Sequence, residues 1–179
     1  MFKPLEKVIV DACETKESLS ESAFLSQTFN VNVALLGLES SMEDIIEARL
    51  LETESCINNN TPLSSVIMIG SVLESVLLGT ASSYPKLFNQ TKCSPKDDNG
   101  RVRMFQDWTL NSFIYAAYEI GFIIIDVKKF SHVVRDFRNY IHPYSQRTTS
   151  FYPDNNTALI CFQVLKAAIS QIGEFRKSL

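Results

Sequence analysis

The amino-acid sequence predicts an all-α fold: a four- to five-helix bundle over residues 41–179, preceded by an N-terminal arm over residues 1–40. Three observations carry that prediction. Apolar residues recur three and four apart along most of the chain after Ser41, the spacing of a buried helix stripe. Start and stop signals fall between those runs. Glycine and proline number only six each in 179 residues, and apolar residues make up 45%, which excludes disordered, collagen-like and low-complexity classes. The length suits one domain able to bury its own core and excludes a multidomain machine.

The arm mixes a short helix or strand over Leu5–Cys13, a Ser/Glu-rich stretch and an apolar segment, Val31–Leu38, and its structure stays open. Ser41, with Asp44 three residues on, is a capping-box-like start for a helix carrying Ile45, Ile46, Arg49, Leu50 and Thr53 at helical spacing, and Asn58-Asn59-Asn60 stop it. Pro62 opens the next helix at a favoured first-turn position. That helix, to about Leu78, is apolar nearly all round and should be the central one, with Glu74 conspicuous inside it. A long loop follows over residues 80–100, with a helical turn near Lys86–Asn89. Helical spacing resumes at Asp107 and runs to Glu119, with Gly121 as its C-terminal glycine. Asp126 reads as the N-cap of a helix reaching His142, where Pro143 ends it. The last helix covers Thr157 to about Phe175.

The formal charge is −3, which argues against a protein that coats nucleic acid through a broadly basic surface. The charge is uneven. Residues 1–61 hold eleven acids against four bases, a net of −7, so the remainder is net +4. Four dispersed cysteines (Cys13, Cys56, Cys93, Cys161) and two histidines give no paired metal ligands, so no metal site and no cofactor is expected, and the thiols read as reduced and mostly core. The first residues have no apolar signal core and no stretch holds the ~18 apolar residues of a membrane span, so the expectation is a cytoplasmic protein with no membrane contact.

Val127–Ser145 reads VKKFSHVVRDFRNYIHPYS. On one α-helix, Phe130, Val134, Phe137 and Ile141 form a narrow stripe facing the core. Arg135, Asn139 and His142 then form an i, i+4, i+7 ladder on the opposite face, lining up a cation, an amide and an imidazole. The bland alternatives are a core histidine or a solvated helix face. From Asp126 to Arg147 the bases Lys128, Lys129, Arg135, Arg138 and Arg147 outnumber Asp126 and Asp136 by three, the one phosphate footprint in the chain.

The run Arg135-Asp-Phe-Arg-Asn-Tyr140-Ile-His142-Pro resembles the signature of the HEPN superfamily. In its toxin branch the pattern is Arg, four residues, Tyr, one residue, His, which Arg135, Tyr140 and His142 match. Gly70–Glu74 and Tyr118–Gly121 are similar, less specifically, to a bacterial subgroup. The resemblance covers about residues 42–178. It implies a HEPN-like bundle and a metal-independent endoribonuclease of toxin or defence type, cleaving RNA at a composite site across a homodimer interface. It also allows an antitoxin or a nucleotidyltransferase partner, because Tyr140 occupies the position of a tyrosine that such partners modify in some toxin pairs.

The residue chemistry agrees with that implication. RNA cleavage needs a group that takes the 2′-OH proton and a cation facing the charge that builds on phosphorus. His142 is the candidate base or acid, Arg135 the phosphate-gripping cation by its planar fork, and Asn139 an orienting group. Arg138, Tyr140, Lys128 and Arg147 are candidate substrate contacts, although Arg138 could equally tie the bundle and Tyr140 could equally pack. Glu74 reads as a buried strut in need of a partner such as Arg138, or as support for the site. His132 is ten residues from His142, about 15 Å along a helix, too far to share one phosphate, so a second imidazole, where the reaction needs one, must come from another subunit. The competing readings are a catalytically inactive HEPN-like module binding a nucleotide, nucleic acid or protein, and a purely structural dimerisation bundle.

Overall fold

A computed structural model describes residues 20–179. Among them the chain is all-α: α1 (Glu21–Leu25), α2 (Ser40–Asn58), α3 (Pro62–Ser83), α4 (Pro85–Asn89), α5 (Leu110–Ile120), α6 (Ile125–Arg138), α7 (Pro143–Thr149) and α8 (Asn155–Lys177). Short 3-10 turns cover Val33–Leu36, Phe105–Asp107 and Asn139–Ile141. The one β-type pairing among the described residues is an isolated antiparallel bridge between Lys96 and Val102. The element expected over Leu5–Cys13 lies outside the described residues.

Helix α3 is the centre of the bundle, packed against α2, α5, α6 and α8. Its Val66, Ile69, Val72, Leu73, Val76 and Leu77 are buried, as an all-round apolar helix requires. It runs to Ser83, past the expected end at Leu78. The Ser/Thr residues that resembled a loop turn their hydroxyls back onto the helix, as Thr80 Oγ1 does on Val76 O at 2.8 Å. Helices α3 and α8 are both long and apolar enough to cross a membrane by length and composition, contrary to the expectation of no such stretch; 50% and 61% of their most apolar windows are buried in the bundle.

Several helix starts differ from the sequence expectation. No capping box forms at Ser41: α2 begins at Ser40, and the carbonyl of Glu39 takes the amides of Met42 and Glu43. Asp126 is no N-cap but a buried residue in the first turn of α6, whose cap is Ile124. Asp107 closes a 3-10 turn, and α5 is capped by Thr109 Oγ1 on the Ser112 amide at 3.2 Å. Gly121 ends α5 with φ 98°, where glycine alone is unstrained. Asp154 caps α8 and accepts from both the hydroxyl and the amide of Thr157, bonds that hold its carboxyl below the ordinary aspartate value.

The division at residue 40 is not a physical boundary. Phe24, Val33 and Leu36 are buried in the common core, and the Phe24 ring stacks on Phe130 of α6 at 5.0 Å. Arg176 of α8 donates to the carbonyl of Leu35 at 3.1 Å. Residues 20–36 therefore belong to the packed body. Of the three described cysteines, all free, Cys161 is buried and its thiol is pushed up to about 12 by desolvation, whereas Cys56 is half-buried and Cys93 is exposed rather than core.

Candidate functional site

The segment singled out in the sequence is not one helix. α6 ends at Arg138, residues 139–141 form a 3-10 turn, and His142 adopts an extended backbone (φ −96°, ψ 108°). Pro143 causes this, since the residue before a proline is driven out of the α region. Pro143 does not simply end a helix; it starts α7 at the first-turn position, with His142 as the N-cap. The expected ladder of Arg135, Asn139 and His142 on one face is therefore not formed, and Ile141, expected in the core stripe, is 60% exposed.

Two separate environments result. Arg138, Asn139, Ile141 and His142 line a groove of about 570 Å³. Its floor is a stripe of α3, with Ser64, Ile67, Met68 and Ser71 at helical spacing, and its far wall is α2, with Arg49, Glu52 and Cys56 one and two turns apart. His142 is exposed at one edge. Arg138 Nη2 pairs with Glu74 Oε2 of α3 at 2.6 Å, both side chains partly exposed (38% and 27%). A pair of this kind fixes direction more than it stabilises, contributing about 0–1 kcal/mol.

The position of Arg138 is set by Gly70. A Cβ built on Gly70 would lie 2.6 Å from Cβ of Arg138, so α6 closes on α3 at a point where only a glycine leaves room. Arg49 reaches over the floor, and its Nη1 lies 3.4 Å from the thioether sulfur of Met68.

Arg135 does not line this groove. It lies about 60° around α6 from Arg138, by the 100° rotation per residue, and turns toward α5. Its Nη1 donates to Asn111 Oδ1, and its Nε and Nη2 both donate to Asp136 Oδ1, at 2.9 and 2.6 Å. His132 adjoins it, with Nδ1 3.5 Å from the Arg135 guanidinium, the ring against Tyr115, and Nε2 buried without a partner. Burial first, then the nearby positive charges of Arg135 and Lys128, push the His132 imidazole below its ordinary value.

The remaining candidates scatter. Lys128 sits over the rings of Tyr115 and Tyr118, 4.6 and 4.2 Å from their centroids, a cation–π clamp on the α5 flank. Tyr140 is buried, with its hydroxyl accepting from Thr149 at 3.2 Å and its ring against Phe137 and Phe151, a packing position rather than a substrate-facing one. Arg147 lies on α7 over the Tyr144 ring. The sequence pointed to Gly70 only through the Gly70–Glu74 resemblance, without its contact to Arg138, and did not point to the α2 wall. A glycine inside an otherwise apolar helix was a signal of close backbone approach, whereas Arg49 was placed on its helix by spacing but had no signal of a site beyond being one of four bases in the acidic first third.

Among the described residues, no three His, Cys, Asp or Glu side chains gather where they could hold a metal ion. Compared with family models, curated proteins and solved structures, the chain matches none.

Proposed function

We propose that the protein is a metal-independent endoribonuclease whose site is the α2/α3/α6 groove, with Arg138, Asn139 and His142 as its reactive edge. The observation that carries this reading is the gathering of a guanidinium, an amide and an exposed imidazole within five consecutive residues at one rim of an open groove. In the reaction, His142 accepts the 2′-OH proton as the 2′-oxygen attacks phosphorus. The 5′-oxygen departs with a proton, leaving a 2′,3′-cyclic phosphate and a 5′-hydroxyl. Arg138 faces the phosphate oxygens and Asn139 orients the imidazole or the scissile group. Glu74 aims the Arg138 fork. Arg135, first choice from the sequence, is replaced in this role by Arg138, because Arg138 lines the groove beside His142 whereas Arg135 turns to the other flank.

One chain supplies a single groove imidazole. We assign the second proton-transfer group to a second copy of the chain, paired through the rim beside His142, where Ile141 and Tyr144 are 60% and 72% exposed. The second reading, a non-cleaving RNA-binding module using the same groove, is favoured by the neutralisation of Arg138 by Glu74. Expression in a host cell separates the two. The ribonuclease reading predicts growth arrest that His142→Ala relieves while the folded helix content is kept; growth unaffected by the wild-type chain contradicts it.

A further inference from the structure

The Arg138 cation at the reacting edge is already balanced by Glu74 at 2.6 Å. The opposite wall holds another. Arg49 is half-buried on α2, a helix that also carries Glu43, Asp44, Glu47, Glu52 and Glu54, yet among the described residues it forms no ion pair with any carboxylate. Glu52, the one acid at helical contact distance from it, is exposed and unpaired with it. The polar partner the structure gives Arg49 is the Met68 sulfur at 3.4 Å, a weak acceptor that leaves most of its five donors unmet.

A guanidinium drawn partly out of water and set against a thioether has lost hydration without gaining a matching acceptor, which is the state that an incoming phosphate oxygen pair relieves. Ser71 and Ser64 on the floor add hydroxyls that tolerate a polar backbone passing over them. We infer that Arg49 binds a backbone phosphate of single-stranded RNA across the groove from the reacting edge, holding the strand so that the scissile bond lies at His142. This rests on the ribonuclease reading for the identity of the polymer, but it concerns binding and not the chemical step.

The test is fluorescence anisotropy with a 2′-O-methyl oligoribonucleotide, which cannot be cleaved by 2′-oxygen attack, between 50 and 200 mM salt on the full chain. Arg49→Gln should weaken binding about tenfold, as loss of a charge-assisted hydrogen bond does. The slope of log affinity against log salt should become shallower by about 0.7, one phosphate contact on a single strand. Arg49→Lys should keep the wild-type slope with intermediate affinity. Wild-type protein should also show Arg49 modified by phenylglyoxal when free and protected when the oligonucleotide is bound, a readout that needs no variant to fold. Unchanged affinity and slope in Arg49→Gln, or equal modification with and without oligonucleotide, overturns the inference while leaving cleavage by His142 intact. A wild-type chain that neither binds the oligonucleotide nor cuts RNA overturns the inference and the ribonuclease reading together.

Discussion

Gly70→Ala tests the geometry of the groove with a single methyl group. The added Cβ would meet Cβ of Arg138 at 2.6 Å, whereas ordinary contact begins near 3.4 Å, so α3 and α6 must part by about 0.8 Å, the difference between the two. The obstructing atom is the root of the Arg138 side chain and not its flexible end, so rotamer change cannot relieve the clash. Overpacking of this kind costs about 1–3 kcal/mol. Replacing a mid-helix glycine by alanine returns about 0.5–1 kcal/mol. The net loss is about 1 kcal/mol, a fall in Tm of roughly 2–4 °C for a chain of this length. The effect on function is larger, because Arg138 moves with the helix: a displacement near 1 Å at a reacting group costs about 10²-fold in rate. Thermal denaturation followed by circular dichroism, beside initial rates of RNA cleavage, measures both. A variant that is as active as wild type within twofold, or that gains Tm without losing activity, refutes the argued contact between Gly70 and Arg138.

Three further outcomes follow from the same structure. Arg138→Ala should reduce cleavage by about 10²-fold or more while Arg135→Ala stays within a few-fold, and the reverse order would restore the one-face reading of the sequence motif. The His132 imidazole sits below its ordinary value in the folded protein, so the unfolded chain takes up a proton that the folded one does not; stability is full above about pH 6.5 and falls below it. With two histidines in the chain, His132→Leu should flatten the dependence of Tm on pH between 7.5 and 5.5, and an identical slope in both proteins would contradict the assignment. Phe24→Ala should destabilise by about 3 kcal/mol, the cost of removing a fully buried phenyl ring, as read by urea denaturation; a change under about 0.5 kcal/mol would return residues 20–36 to the status of a detachable arm.

Helix order and the central place of α3 were legible because apolar periodicity and the Pro62 and Gly121 signals are local properties of the chain. The arm was not. Val31–Leu38 has no period of its own, and Phe24, Val33 and Leu36 are held by α6 and α8 packing that no local pattern encodes. At the site, the residues were legible but their grouping was not. A helical wheel assumes continuous helix, and that assumption fails from residue 139 on: residues 139–141 form a 3-10 turn and Pro143 forces His142, just before it, into an extended backbone. This rotates His142 toward Arg138 and α2, and separates it from Arg135. The Arg135–Asp136–Asn111 bonds that fix the other flank depend on α5, twenty-four residues away in sequence.

His142 is proposed to accept the 2′-hydroxyl proton without a metal. The direct measurement is cleavage of a single-stranded RNA in excess chelator, with the products resolved for a 2′,3′-cyclic phosphate, by wild type and His142→Ala and against an oligonucleotide of the same sequence lacking 2′-hydroxyls. Proton transfer by His142 predicts cyclic-phosphate products from wild type, none from the deoxy substrate, and loss of at least 10²-fold in His142→Ala with helix content unchanged. Cleavage by His142→Ala at the wild-type rate, or cutting that the chelator abolishes, would contradict it.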